Sequence, residues 1–175
     1  MTSDRQDREI DLLVTRHSSL ATHSLRLAPG SHARLEQFFR FHLRDETLRL
    51  PAVRFYAGSF ARRLTTAFEI QAIIFARTIF IAPRLLRRDA SDGLSAPARL
   101  VVHELAHTLQ YRRAGRVPFL FRYLTEYARR LMGAGGLSAK TRAASYHAIS
   151  FEARARAAED AYAVWCAVKR EDTFP

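Results

Sequence analysis

Cysteine is nearly missing from this chain: Cys166 is the only one in 175 residues. That excludes an internal disulfide framework and any zinc site built from several thiolates, and it fits a reducing compartment. Lysine is almost as scarce, with 2 against 26 arginines. No apolar run is long enough to span a bilayer, since the longest, "AIIFARTIFIAP" at 72–83, is short and carries Arg77 in its middle. The N-terminal "MTSDRQDREIDLLV" is polar from its second residue and lacks the apolar centre of a secretory signal. Internal repeats and low-complexity tracts are missing too. These absences lead us to expect a soluble, cytoplasmic protein without a transmembrane segment, with export by a non-classical machine as the alternative.

What is present suits one domain of ordinary size with a real core: 175 residues, 48% of them hydrophobic. The net charge of +11 invites a polyanionic partner, nucleic acid or an anionic membrane. The arginines, however, are scattered as pairs ("ARR", "LRR", "YRR") and not gathered into one block, so nucleic acid is not the favoured partner.

Along the chain, the first 25 residues read as a marginal helix or ordered tail, and 1–30 is set apart as an N-terminal extension of a domain spanning 31–175. "SHARLEQFFRFHLRD" has helical periodicity, with Leu35, Phe38, Phe39, Phe41 and His42 as its apolar face. "VRFYAG" reads as a strand ending at Gly58, "SFARRLTTAFE" as a short helix, and 72–83 as a covered strand or tight hairpin. "DASDGLS" is a loop. Ser95 is the expected N-cap of a helix that has Pro97 in its first turn and stops at Gly115. Pro118 opens another helix, ending at "GAGG", and a last helix runs from about Ser150 to Lys169. Helix, strands, then helices make an α+β domain.

The chemistry is concentrated in "LVVHELAHTLQY" at 100–111. Residues four apart on a helix share a face, so His103 and His107 can hold one metal ion through two imidazoles. Glu104 is turned a third of the way round, within reach of a water on that ion. Apolar neighbours (Leu100, Val101, Val102, Leu105, Ala106, Leu109) make this trio costly to bury unless it has partners. A zinc site needs a third protein ligand, and Glu126, His147, Glu152 and Glu159 are all candidates by spacing. Glu126 has an ordinary alternative, pairing with Arg129 and Arg130 on its own helix. Glu152, at a helix start among alanines, is a good ligand platform. Tyr146 and His147 lie where a donor to a tetrahedral intermediate could sit, although surface or packing roles are the plainer reading.

These motifs resemble the zincin-like metallopeptidase domains associated with extracellular contractile injection systems and bacterial toxin loci. The likeness covers roughly 48–159. It rests on the "VRFYAG" strand, the small helix, the "AIIFARTIF" region and "HELAHTLQ", with Gln110 at the family's glutamine. Further on, Arg112–Gly115, Phe121–Tyr123 and "ISFEARA" match a branch that carries "RRxG", "F…RY" and "(N/S)-x-(F/Y)-E-x-E-A". The resemblance implies a zincin-like fold, a small sheet with the HExxH helix and further C-terminal helices. It also implies Zn²⁺ on His103, His107 and Glu152 as in gluzincins, Glu104 as the catalytic group, and a protein or peptide substrate. Two departures stand out: Arg154 replaces the second glutamate of E-x-E-A, and the family's "T-x-G" turn is compressed to "ARTIF".

The "TIFIAP" strand is expected at the cleft edge, where an extended substrate could add by backbone pairing. Tyr123 and Tyr127 read as core packing with Phe119 and Phe121, and Trp165 and Cys166 as core. "VPFLFRYLTEYARRLM" reads as a core wall beside the active helix, with a basic membrane-surface helix as its alternative. The rival to a peptidase is a non-catalytic zinc-holding module that binds a partner or travels as injection-system cargo.

Overall fold

The computed structural model describes residues 11–16, 24–67, 70–75, 77–88, 94–136 and 138–171. In chain order the elements are β1 (Asp11–Arg16), β2 (Ser24–Leu27), α1 (Pro29–Leu43), β3 (Arg54–Tyr56), α2 (Ser59–Ala67), β4 (Ala72–Phe75) and β5 (Thr78–Ile81). A 3-10 turn (Pro83–Leu85) precedes β6 (Arg87–Arg88) and β7 (Leu94–Pro97). Four helices complete the chain: α3 (Ala98–Ala114), α4 (Arg116–Gly133), α5 (Ala139–His147) and α6 (Ser150–Glu171). The architecture is α+β, with one mixed sheet of seven strands in the order β4-β5-β3-β2-β1-β7-β6. Among the described strands only β3 and β5 pair in parallel, because α2 and β4 intervene as a crossover.

Several sequence expectations need correcting. Residues 11–16 are a strand and not a helix, paired on one side with β2 and on the other with β7. Its short apolar stretch has partners on both sides, and tertiary pairing overrides weak helical propensity. β5 is not at the sheet edge: the chain reverses after Phe75, and β4 pairs back on it and takes the edge position. Ser95 does not cap α3. It lies buried within β7, and α3 starts directly from Pro97 without a side-chain cap. Most of "DASDGLS" and residues 1–10 lie outside the described residues.

α1 begins and ends close to its expected bounds, but Phe41 is 68% exposed; the packed face is Leu35, Phe38 and Phe39. Phe38 meets Tyr162 and Trp165 of α6 edge-on, with ring centroids 5.0 and 5.8 Å apart. These rings join Leu12, Leu25, Phe55, Ile79 and Ile81 of the strands in one core, together with Val101, Val102 and Leu105 of α3. α3 is buried nearly all round, as a helix packed against the sheet and α6 must be. α6 presents Ala155 and Ala158 to this core, and such small side chains let two helix axes approach closely.

Gly115 ends α3 and starts α4 at φ +79°, a backbone region that glycine enters without steric penalty. The sharp turn swings α4 back so that Phe119 packs on Tyr111, with ring centroids 4.1 Å apart and planes tilted by 38°. A second small cluster (Phe119, Ile149 and Phe151) forms where α4 meets the start of α6. α5 has no counterpart in the sequence reading. Its N-cap, Ser138, accepts a hydrogen bond from the Thr141 backbone N–H at 3.1 Å.

Candidate metal centre

His103 and His107 sit one turn apart on α3 and turn their Nε2 atoms towards each other, 3.0 Å apart. The first turn of α6 brings Glu152 across them. Its Oε2 lies 3.2 Å from His103 Nε2 and its Oε1 3.2 Å from His107 Nε2. Two ligand atoms on a tetrahedral ion, each about 2.0–2.1 Å from it, stand about 3.3 Å apart. The three side chains are therefore positioned to hold a metal ion.

The tautomers strengthen this fit. His103 Nδ1 lies 2.5 Å from Glu159 Oε1, a carboxylate that can only accept, so Nδ1 carries the proton. His107 Nδ1 lies 2.8 Å from Gln110 Oε1. The Gln110 amide donates through Nε2 to the Phe151 carbonyl at 3.1 Å, which fixes its oxygen towards the histidine. With both Nδ1 atoms facing outward acceptors, each ring in its neutral form turns an Nε2 lone pair inward, towards the other ring and the carboxylate. Glu152 Oε2 is buried and has no hydrogen-bond partner among the described residues. Such a convergence of acceptors needs a positive charge at its centre.

The electrostatics show that the cluster favours a positive charge. Burial works against a charge on His103, but the Glu152 and Glu159 carboxylates outweigh it and push its pKa up to about 10. Burial likewise opposes ionisation of Glu152, yet the adjoining His103 and His107 and the Tyr123 hydroxyl hold its carboxyl below the usual range. Glu104, also buried, is raised by loss of solvent, and the neighbouring histidines only partly offset this.

Residues 27–115 match the family described as the eCIS core domain, just over half of the chain. The chain belongs to the eCIS core domain family. It is thereby associated with extracellular contractile injection systems, which points to injection-system partners. No curated protein and no solved structure is significantly similar to it. The eCIS core segment carries His103, Glu104, His107 and Gln110, but ends before α4. Glu152 is therefore added to the pair by the geometry of α6 and not by the family match.

Of the other candidates, Glu159 is brought behind His103, two helical turns beyond Glu152 on the same face of α6. It orients a ligand, a role that the loss of the E-x-E-A glutamate to Arg154 had left open. Glu126 pairs with Arg130 at 2.9 Å as expected, but its main partner is α6 itself. It accepts from the Ser150 N–H at 3.0 Å and the Ser150 hydroxyl at 2.7 Å, capping the helix that carries Glu152. Tyr146 is half-buried beside Glu152 and Tyr123, and burial and the Glu152 charge raise its hydroxyl pKa. His147 is exposed at the end of α5 and bonded to Arg156, outside the cluster.

One residue of the site escaped the sequence reading. Tyr123, expected as core packing, donates its hydroxyl to Glu152 Oε1 at 2.8 Å. Burial and the Glu152 charge raise its pKa strongly. An available signal was its place in "F…RY", the segment shared with the family branch. Phe121, grouped with it as core, is instead 70% exposed.

Proposed function

We propose that the protein is a zinc-dependent peptidase of the gluzincin kind, with His103, His107 and Glu152 as metal ligands and Glu104 as general base. The observation that carries this reading is the lone-pair convergence: two Nε2 atoms and a carboxylate, with each ring fixed by its own outward acceptor. Nitrogen and oxygen donors in tetrahedral spacing suit zinc, and three protein ligands leave a position open, as catalytic sites do. Bound zinc would supply Lewis acidity, bringing the pKa of the water it holds to about 7.

The chain's own residues do the rest. Glu104 follows His103 directly and lies in the field of both histidines; in this reading its carboxylate takes a proton from the attacking water and returns it to the leaving amine. Tyr146, half-buried beside Glu152, offers a hydroxyl to the developing oxyanion, whereas Tyr123 already donates its proton to Glu152. The edge strand β4, packed beside α3, offers unpaired backbone groups to which an extended peptide could add.

The family match favours a second reading, a zinc-holding module of an injection system without turnover. Glu104→Gln separates the two. It leaves the ligands in place, so zinc content stays unchanged while peptide hydrolysis falls by at least about a hundredfold. Equal hydrolysis by wild type and variant, or none by either in any peptide library, sinks the peptidase reading.

A further inference from the structure

α4 was expected to be a core wall, yet Phe119 is its only buried residue. Val117, Leu120, Phe121, Leu124 and Met132 are all exposed, five of the eleven large hydrophobics exposed among the described residues. Their spacing is i, i+3, i+4, i+7 and i+15, which on a helix places them within an arc of about 120°. An exposed apolar stripe of this kind on one helix marks a contact surface.

The charges around it select the partner. Arg116 borders the stripe on one side, and Arg122 and Arg129, both exposed and two turns apart, border it on the other. The one acidic residue of α4, Glu126, is turned inward and held by Ser150 and Arg130. The outward face therefore carries no carboxylate. Beside the arginine rim lies a groove of about 620 Å³ whose lining includes Phe121, Arg122, Arg129 and Arg154, along with Glu126, which is held by Arg130 and Ser150. No ion pair engages Arg122, Arg129 or Arg154 among the described residues.

We propose that α4 is an interfacial helix that docks the protein on an anionic phospholipid surface. Its stripe enters the acyl boundary, and Arg122, Arg129 and Arg154 meet headgroup phosphates. A convex apolar helix needs no matching groove in a bilayer, and arginine can lay its stem along the apolar boundary while its guanidinium stays with the phosphates. A second copy packed on the stripe would bring the same arginine rims together with nothing to offset them. Nucleic acid would use the arginines and leave the apolar stripe in water. No described helix is long and apolar enough to cross a membrane, so the contact is interfacial.

The test is flotation of the zinc-loaded full chain with vesicles of phosphatidylcholine alone or with about three parts in ten phosphatidylglycerol. The expected result is binding to the anionic vesicles only, weakened when salt rises from about 0.1 M to about 0.5 M. Each arginine near such a surface contributes about a fivefold factor, so Arg122→Ala with Arg129→Ala should weaken binding roughly thirtyfold. Phe121→Asp with Leu124→Asp should abolish it while zinc content and circular dichroism stay as in the wild type, because Tyr123 and Glu126 face the other way. Leu124→Trp gives an independent readout, a blue-shifted emission on adding anionic vesicles. Lack of binding to anionic vesicles overturns the proposal. So does unchanged binding by the aspartate variant, which would mean adsorption through scattered arginines. A wild-type dimer that the aspartate variant breaks, without vesicle binding, would assign the stripe to self-association instead.

Discussion

At the residue scale, the centre is a set of lone pairs held in place by second partners. Glu159 does for His103 what Gln110 does for His107, and removing such an orienting group typically costs 10–100-fold in metal affinity. Glu159→Ala should therefore weaken zinc by about that factor in a chelator competition, and unchanged affinity would mean that the 2.5 Å contact orients nothing. The sequence made His103, Glu104, His107 and Gln110 legible because their geometry is local to one helix. Glu159 and Tyr123 were not legible in these roles, because their partners lie 56 and 29 residues away and only the packing of α6 brings them together. Spacing could offer Glu152, Glu159 and Glu126 only as equals; the tilt of α6 across α3 assigns them three different tasks.

At the scale of elements, Glu126 links α4 to the start of α6. Glu126→Ala removes a cap worth about 1 kcal/mol and should lower Tm by about 2–4 °C with zinc retained. An unchanged melting curve would mean that the cap adds nothing to α6. Another carboxylate, Glu36, fixes the chain after α1. The Leu50 N–H donates to it at 2.9 Å, and this bond, helped by Arg40 and Arg49 against a burial cost, holds its pKa below the ordinary 4.5. A lowered folded pKa gives stability that is present above the unfolded value and lost as pH falls through the folded one. Glu36→Gln should thus be less stable than wild type at neutral pH, with the gap closing below about pH 4; a gap that stays constant across the acid limb would contradict it. The helices were read well where periodicity and stops coincide, as in α3 with its Gly115. The strands were read less well. β1 is short and paired from both sides; the run at 72–83 was legible as a covered strand or a tight hairpin, and it is the hairpin, but nothing local reveals that its first arm takes the sheet edge.

At the scale of the molecule, an ion held by the proposed centre would be linked to the fold. A ligand that binds only the folded state adds about 2.7 kcal/mol at a hundredfold excess over Kd, so chelation should lower Tm by roughly 5–10 °C. A melting curve unchanged after verified metal removal would show that the centre forms without the ion. The family match associates the chain with injection systems, and the α4 surface is proposed above to meet an anionic membrane. Both depend less on the centre than the centre depends on α6, because the eCIS core match stops at Gly115 and the third ligand lies beyond it.

The most direct test of the whole account is zinc per chain, measured by mass spectrometry after metal-replete expression, in the wild type, Glu152→Ala and Glu126→Ala. The account requires about one zinc in the wild type and in Glu126→Ala, and little in Glu152→Ala. Zinc well below half occupancy in the wild type, or zinc lost from Glu126→Ala and kept by Glu152→Ala, would contradict it.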